Sequence, residues 1–198
     1  YMAAYVKQVH AFEPNPSLWP LIEEKLHLNN VQNTFLHRKG LGVKSGRFPL
    51  YLSPESGECS LIAGTNRTDP ESSVFTSIVR GDDFFPQVQI KKIDLIKLDV
   101  EGYEKSAVEG IRIYLENSRP IIMLEVSEVG KEQFGDFSNF IHTFPREYQF
   151  YFCHWRSNLI NRIILLRANE IAYHDFGGNV FCVPSEKNEL FREVADVL

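Results

Sequence analysis

The segment Ile93-Asp94-Leu95-Ile96-Lys97-Leu98-Asp99-Val100 constrains the fold more than any other part of the chain. It is an apolar, β-rich run that ends on an acid and meets Gly102, after which a helical pattern begins at Tyr103. Such a run suits a strand buried in an α/β sheet, where crossover helices cover the faces and strict alternation is lost. Pro120 to Val126 repeats the design, with Glu125 near its end, and Val9 to Phe12 is a shorter version closing on Glu13. Strands of this kind alternating with helices predict an α/β fold with a mainly parallel sheet.

The remaining elements follow from local signals. Asn15 can cap a helix that starts at Pro16 and runs to about His27. Asn33 to Ile62 reads as strands broken by Gly40, Gly42, Gly46 and Gly57, and Gly64 to Ser73 as an exposed loop. Val74 to Val79 is a strand, with Asp82 or Asp83 placed to cap a short helix behind it. Helices are predicted over Tyr103 to Asn117, Lys131 to Phe144 and Glu186 to Leu198. Strands are predicted over Tyr148 to Trp155, Arg162 to Leu166 and Asn179 to Val183.

At 198 residues the chain is one domain, large enough to bury about 70% of its unfolded surface. Its net charge of −5 and lack of any Lys/Arg cluster argue against a nucleic-acid partner. The longest apolar runs are about four residues, far short of a bilayer span, so no membrane partner is expected. Three dispersed cysteines, Cys59, Cys153 and Cys182, form no CxxC pair, which points to free thiols in a reducing, cytoplasmic setting and to no metal site. The Asn66-Arg67-Thr68 triplet is treated as a chance sequon.

In open α/β sheets, ligands sit beyond the carboxyl ends of the strands. Glu13, Asp99 with Glu101, and Glu125 are therefore the candidate site residues. A carboxylate closing a strand can accept both hydroxyls of a ribose diol. Each acid also has a structural reading: Glu13 as a solvated strand end, Asp99 as a helix cap, Glu104 as a charge favoured at a helix start. Lys97 shares the side-chain parity of Asp99 and can pair with an acid. His10, His37, His142, His154 and His174 are assigned no catalytic role.

Phe12-Glu13-Pro14-Asn15-Pro16, then Gly40-Leu41-Gly42, then Ile93 to Glu104 resemble, in order, the segments of FkbM-type methyltransferases. The later strands at Pro120 to Glu125 and Asn179 to Pro184 are similar too, so the resemblance covers about residues 9 to 184. It implies a class I, Rossmann-like fold with helices on both faces, and S-adenosylmethionine as methyl donor. The implied reaction is methyl transfer to a hydroxyl of a small molecule or sugar. By matching position, Glu13, Asn15, Gly40, Leu41, Gly42 and Asp99 would contact the cofactor. Asp99, Glu101 and Glu125 would stand at the methyl-transfer end, with the general base open among them and Asp99 preferred.

The family's glycine loop and first strand should precede Phe12. The chain instead begins Tyr1-Met2-Ala3-Ala4, so the domain is read as incomplete at its N-terminus. Removing a central strand would leave two neighbouring strands with unpaired edges. Two other readings stand beside the enzyme: a non-catalytic, methyltransferase-like binding module, and a dinucleotide-dependent Rossmann-type enzyme.

Overall fold

The structure, a computed structural model, describes residues 2–53, 59–63, 69, 71–156 and 162–195, with only the backbone given for 154–156, 162–164, 171, 194 and 195. The Asn66 triplet and the His154 side chain lie outside the described residues. Strand β1 (Val9–Phe12) pairs parallel with β2 (Thr34–His37) as a two-stranded sheet. Strand β3 (Gly40–Leu41) runs parallel to β5 (Ser73–Val79), which β4 (Gly46–Tyr51) meets antiparallel. The largest sheet has five strands. Its order is β6 (Leu95–Leu98), β7 (Ile121–Val126), β10 (Gly178–Pro184), β8 (Tyr148–Arg156) and β9 (Arg162–Arg167).

The fold is α/β as expected, but its sheets are mixed rather than mainly parallel. In the large sheet only β6 and β7 pair parallel; β10 runs antiparallel to both β7 and β8, and β9 antiparallel to β8. The cause is local. The β8–β9 pair forms a hairpin, and the chain returns through α7 (Glu170–Asp175) to lay β10 between β7 and β8 in the reverse direction. Among the described residues, β1 pairs only with β2 and β6 only with β7, so each presents one open edge.

The core lies on one face of the large sheet. Leu98, Ile122, Leu124, Val126, Phe150, Phe152, Val180 and Cys182 meet Ala107, Val108, Ile111, Leu115, Phe134, Phe140 and Phe144 there. These last come from α3 (Glu104–Glu109), α4 (Arg112–Ser118) with Ile111 at its cap, α5 (Glu128–Phe134) and α6 (Phe137–His142) with its following turn. The alternate residues point the other way. On that side α8 (Asn188–Ala195) packs Phe191 against Tyr151 and Phe181, at ring separations of 5.6 and 5.3 Å. Helices therefore lie on both faces. Leu95, Lys97 and Glu125 share the α8 side but at its uncovered corner, where Leu95 is 44% exposed.

Two helices expected to be continuous are each broken. Asp82 N–H takes the Gly110 carbonyl at 2.9 Å, so the helix from Tyr103 stops. The Asp82 carboxylate then accepts from Ile113 N at 3.0 Å and starts α4. Asp82 thus caps α4 and not the short α2 (Gly81–Phe84) in which it sits, where Arg80 holds the cap position. Farther on, Gly135 at φ +81 ends α5, and Asp136 caps α6 through Asn139 N at 2.7 Å. The helix predicted from Pro16 forms as a 3-10 turn, Pro16–Leu18, running into α1 (Trp19–Leu28). The last helix begins as a 3-10 turn, Ser185–Lys187, and residues 196–198 lie outside the described ones. Among the described residues no cysteine is bridged, and no helix is long and apolar enough to cross a membrane.

Candidate active site

The parallel register of β6 and β7 sets Leu98 beside Leu124, so the next residues, Asp99 and Glu125, come side by side at the strand ends. Their carboxyls lie close enough for each to shift the titration of the other. Lys97, two residues back on the same face, places its Nζ 2.7 Å from Asp99 Oδ2. Burial alone would raise the Asp99 carboxyl, but the bonds from Lys97 and Glu125 outweigh it and hold Asp99 below its ordinary range. Glu125 moves the opposite way. The bond with Asp99, then burial, then the charges of Asp99 and Glu101 all favour its protonated form. The two carboxyls therefore titrate as one coupled pair, with Asp99 drawn down and Glu125 drawn up.

Glu101 follows on a sharp turn, at φ +51, with Gly102 at φ +95. Glycine is required at 102, since a Cβ there would stand 2.6 Å from Val129 Cγ1 on a backbone that L side chains rarely adopt. The structure thus gathers Asp99, Glu101 and Glu125 at one corner of the large sheet, joined by Lys97.

Glu13 closes β1. Its Oε1 accepts from Asn15 N at 2.7 Å, and its carbonyl accepts from Trp19 Nε1 at 2.8 Å, which fixes the turn after the strand. Half-burial pushes the Glu13 carboxyl upward against the pull of the Asn15 N–H. Asn15 is itself buried, and its side chain is engaged. Oδ1 accepts from Ser17 N and Oγ at 3.0 and 2.8 Å, and Nδ2 donates to Cys59 Sγ at 3.2 Å. The capping role read from the sequence is the one its side chain fills.

Gly40 and Leu41 form β3, and both glycines of this segment have packing reasons. A Cβ on Gly40 would approach Ile78 Cδ1 to 2.8 Å, and one on Gly42 would approach Ile78 Cγ2 to 2.9 Å and Tyr103 to 3.0 Å. A groove of about 290 Å³ lies behind this segment, between Val43, Tyr103 and Glu109, and takes no wall from Glu13, Asp99 or Glu125. His10 and His37 face one another across β1 and β2, Nδ1 to Nε2 at 2.9 Å, in an aromatic stack with Phe12 and Phe35. Burial disfavours their charged forms.

Cys59 and Ser60 were not legible in the sequence. Cys59 meets Asn15 at the Glu13 turn, while Ser60 Oγ donates to the Glu101 carbonyl at 2.8 Å. Adjacent residues thereby tie together the two acid-bearing turns. Their stretch is polar and broken by glycines, with no pattern that marks either residue.

The methyltransferase FkbM domain model matches residues 1–157. The chain belongs to the FkbM methyltransferase family. It is similar to the hexuronic acid methyltransferase AglP of Haloferax volcanii, 28% identical over 116 residues, covering 58% of this chain and 46% of that protein. It is also similar to Methyltransferase 1 of Beauveria bassiana, 26% identical over 118 residues, covering 51% of this chain and 47% of that protein. The chain thus spans about half the length of the curated relatives it matches. In fold it resembles the crystal structure of the methyltransferase FkbM from Methylobacillus flagellatus. The TM-score is 0.54 at 17% identity, over 89% of this chain and 36% of that one.

Proposed function

We propose that this chain is the methyltransferase domain of an S-adenosylmethionine-dependent enzyme that methylates a hydroxyl, with a saccharide as acceptor. The observation that carries the reading is the meeting of Asp99 and Glu125 at the ends of two parallel strands, with Lys97 Nζ 2.7 Å from Asp99 Oδ2. Family membership supports the reaction class, and the hexuronic acid methyltransferase relative supports a sugar acceptor. The Rossmann-like reading is supported by parallel β1–β2 and β6–β7 pairs, each continuing into an acid. A cytoplasmic setting accords with the unbridged cysteines.

The residues present suit this cofactor at Glu13. That carboxylate is half-buried, pre-oriented by Asn15 N–H through Oε1, and free of any basic side-chain bond among those found at its turn. Its role is to accept the ribose hydroxyls. The bound cofactor supplies an electrophilic methyl group on a sulfonium centre. The acceptor hydroxyl must be aligned with that methyl and must give up its proton. Asp99, kept ionised by Lys97, accepts a hydrogen bond from the hydroxyl and receives its proton as the new C–O bond forms. Glu125, whose protonated form its neighbours favour, orients Asp99, and Glu101 adds negative charge beside them.

The test supplies methyl-labelled S-adenosylmethionine with oligosaccharides that carry hexuronic acids or their neutral counterparts. The chain should label a saccharide hydroxyl, and Asp99→Asn should lower turnover about 100-fold or more with cofactor affinity nearly unchanged. Equal turnover in Asp99→Asn, or no label on any saccharide, would overturn the assignment.

A further inference from the structure

Glu104 has a placement that helix capping does not explain. It is the first residue of α3 and is 1% exposed. A glutamate at a helix start ordinarily reaches water or its own first turn. Glu104 takes its own backbone N–H and also reaches back out of the helix, where its Oε1 accepts from Val100 N and from Gly102 N, both at 3.2 Å. Those two donors flank Glu101. Ser60, also 1% exposed, takes the same turn from the other side by donating to the Glu101 carbonyl at 2.8 Å. Tyr103 N closes the turn on the Val100 carbonyl at 3.2 Å.

The turn so held is an uncommon one. A non-glycine residue at φ +51 is strained and persists only where its surroundings impose it. The clamp itself is costly too. Glu104 Oε2 is buried with no hydrogen-bond partner, and a Cβ on Gly130 would lie only 3.1 Å from it. An exposed Ser or Asp could start this helix without burying an orphan oxygen. What Glu104 adds is the shape of the segment joining Asp99 to Tyr103.

We propose that Glu104 is a positioning residue which, with Ser60, fixes the Asp99–Gly102 turn so that the Asp99 and Glu125 carboxyls meet. The functional weight of this inference rests on the reading of that pair as the reacting end. The clamp acts through its acceptor oxygen, not its charge. Glu104→Gln, which keeps Oε1, should therefore preserve the site, and Glu104→Ala should release it.

The readouts are the ¹³C-detected titration of the Glu125 carboxyl and the exchange of the Val100 and Gly102 amides, in wild type, Glu104→Ala, Glu104→Gln and Ser60→Ala. Lys97, Asp99 and Glu101 are the charged groups facing Glu125 and are left intact. In Glu104→Ala the Glu125 midpoint should fall toward the ordinary glutamate value. The two amides should exchange about tenfold faster or more. Ser60→Ala should move the midpoint the same way but less, and Glu104→Gln should match wild type. A folded Glu104→Ala with an unmoved midpoint overturns the proposal, as does Glu104→Gln shifting as far as Glu104→Ala. Should Glu104→Ala fail to fold, Ser60→Ala decides, since an unmoved midpoint there overturns the two-sided clamp. Titration of S-adenosylhomocysteine into wild type reads the cofactor assignment separately, because the carboxyl titration needs no cofactor.

Discussion

Gly110→Ala sets two effects of opposite sign against each other. Gly110 has helical backbone angles, φ −70 and ψ −12, so alanine is compatible with the conformation. Chain entropy alone would then stabilise the variant by about 0.5–1 kcal/mol. The new Cβ, however, would stand 2.2 Å from the Gly42 carbonyl oxygen and 2.6 Å from its carbon. Relief needs the two backbones to part by about 1 Å, to ordinary contact distance. Gly42 cannot yield cheaply, because its N–H donates to Val79 O at 3.0 Å and the next residue's N–H donates to Ser106 Oγ at 3.1 Å. Overpacking costs about 1–3 kcal/mol, and a strained or lost hydrogen bond about 1 kcal/mol more. The clash wins. A net loss of about 2 kcal/mol is expected, seen as a lower urea midpoint at unchanged m-value and a Tm lower by about 4–8 °C. Equal or greater stability in Gly110→Ala would refute the close Gly42–Gly110 contact.

Asp82 carries a second structural prediction: its fully buried carboxylate serves Ile113 N at 3.0 Å and Tyr114 N at 3.4 Å and pairs with Arg80 at 3.2 Å. Asp82→Ala should cost about 2–3 kcal/mol in urea unfolding, with Asp82→Asn recovering part of it; an unchanged midpoint would contradict the capping role. Glu125 carries a pH prediction. Its folded-state pKa is raised above the unfolded value, so its contribution to stability is fully present below the unfolded pKa and declines as pH rises through the folded one. Glu125→Gln should flatten that decline in stability measured across the window, and an unaltered slope would argue against the raised Glu125 carboxyl.

Much of the fold was legible because its signals are local. The apolar run of Ile93 to Leu98 closes on Asp99 whatever surrounds it, and Asn15-Pro16 starts a helix by its own chemistry. The break between α5 and α6 was missed, the segment being read as one helix, although Gly135-Asp136 is a local stop followed by a cap. What else escaped depends on partners far along the chain. Asp82 breaks a helix 31 residues away, and Ser60 reaches a carbonyl 41 residues away. The mixed sheet escaped for the same reason, because nothing within Asn179 to Val183 says that β10 will lie between β7 and β8. The candidate acids were identified by position, but the coupling of Asp99 to Glu125 depends on the β6–β7 register.

The most direct test of the account is calorimetric titration of S-adenosylhomocysteine into the chain and into Glu13→Ala. Wild type should bind at micromolar level, about −8 kcal/mol, and Glu13→Ala should lose about 1–3 kcal/mol of that while remaining folded. A folded wild type that binds nothing, or a Glu13→Ala variant that binds as well as wild type, would contradict the cofactor seat at the end of β1.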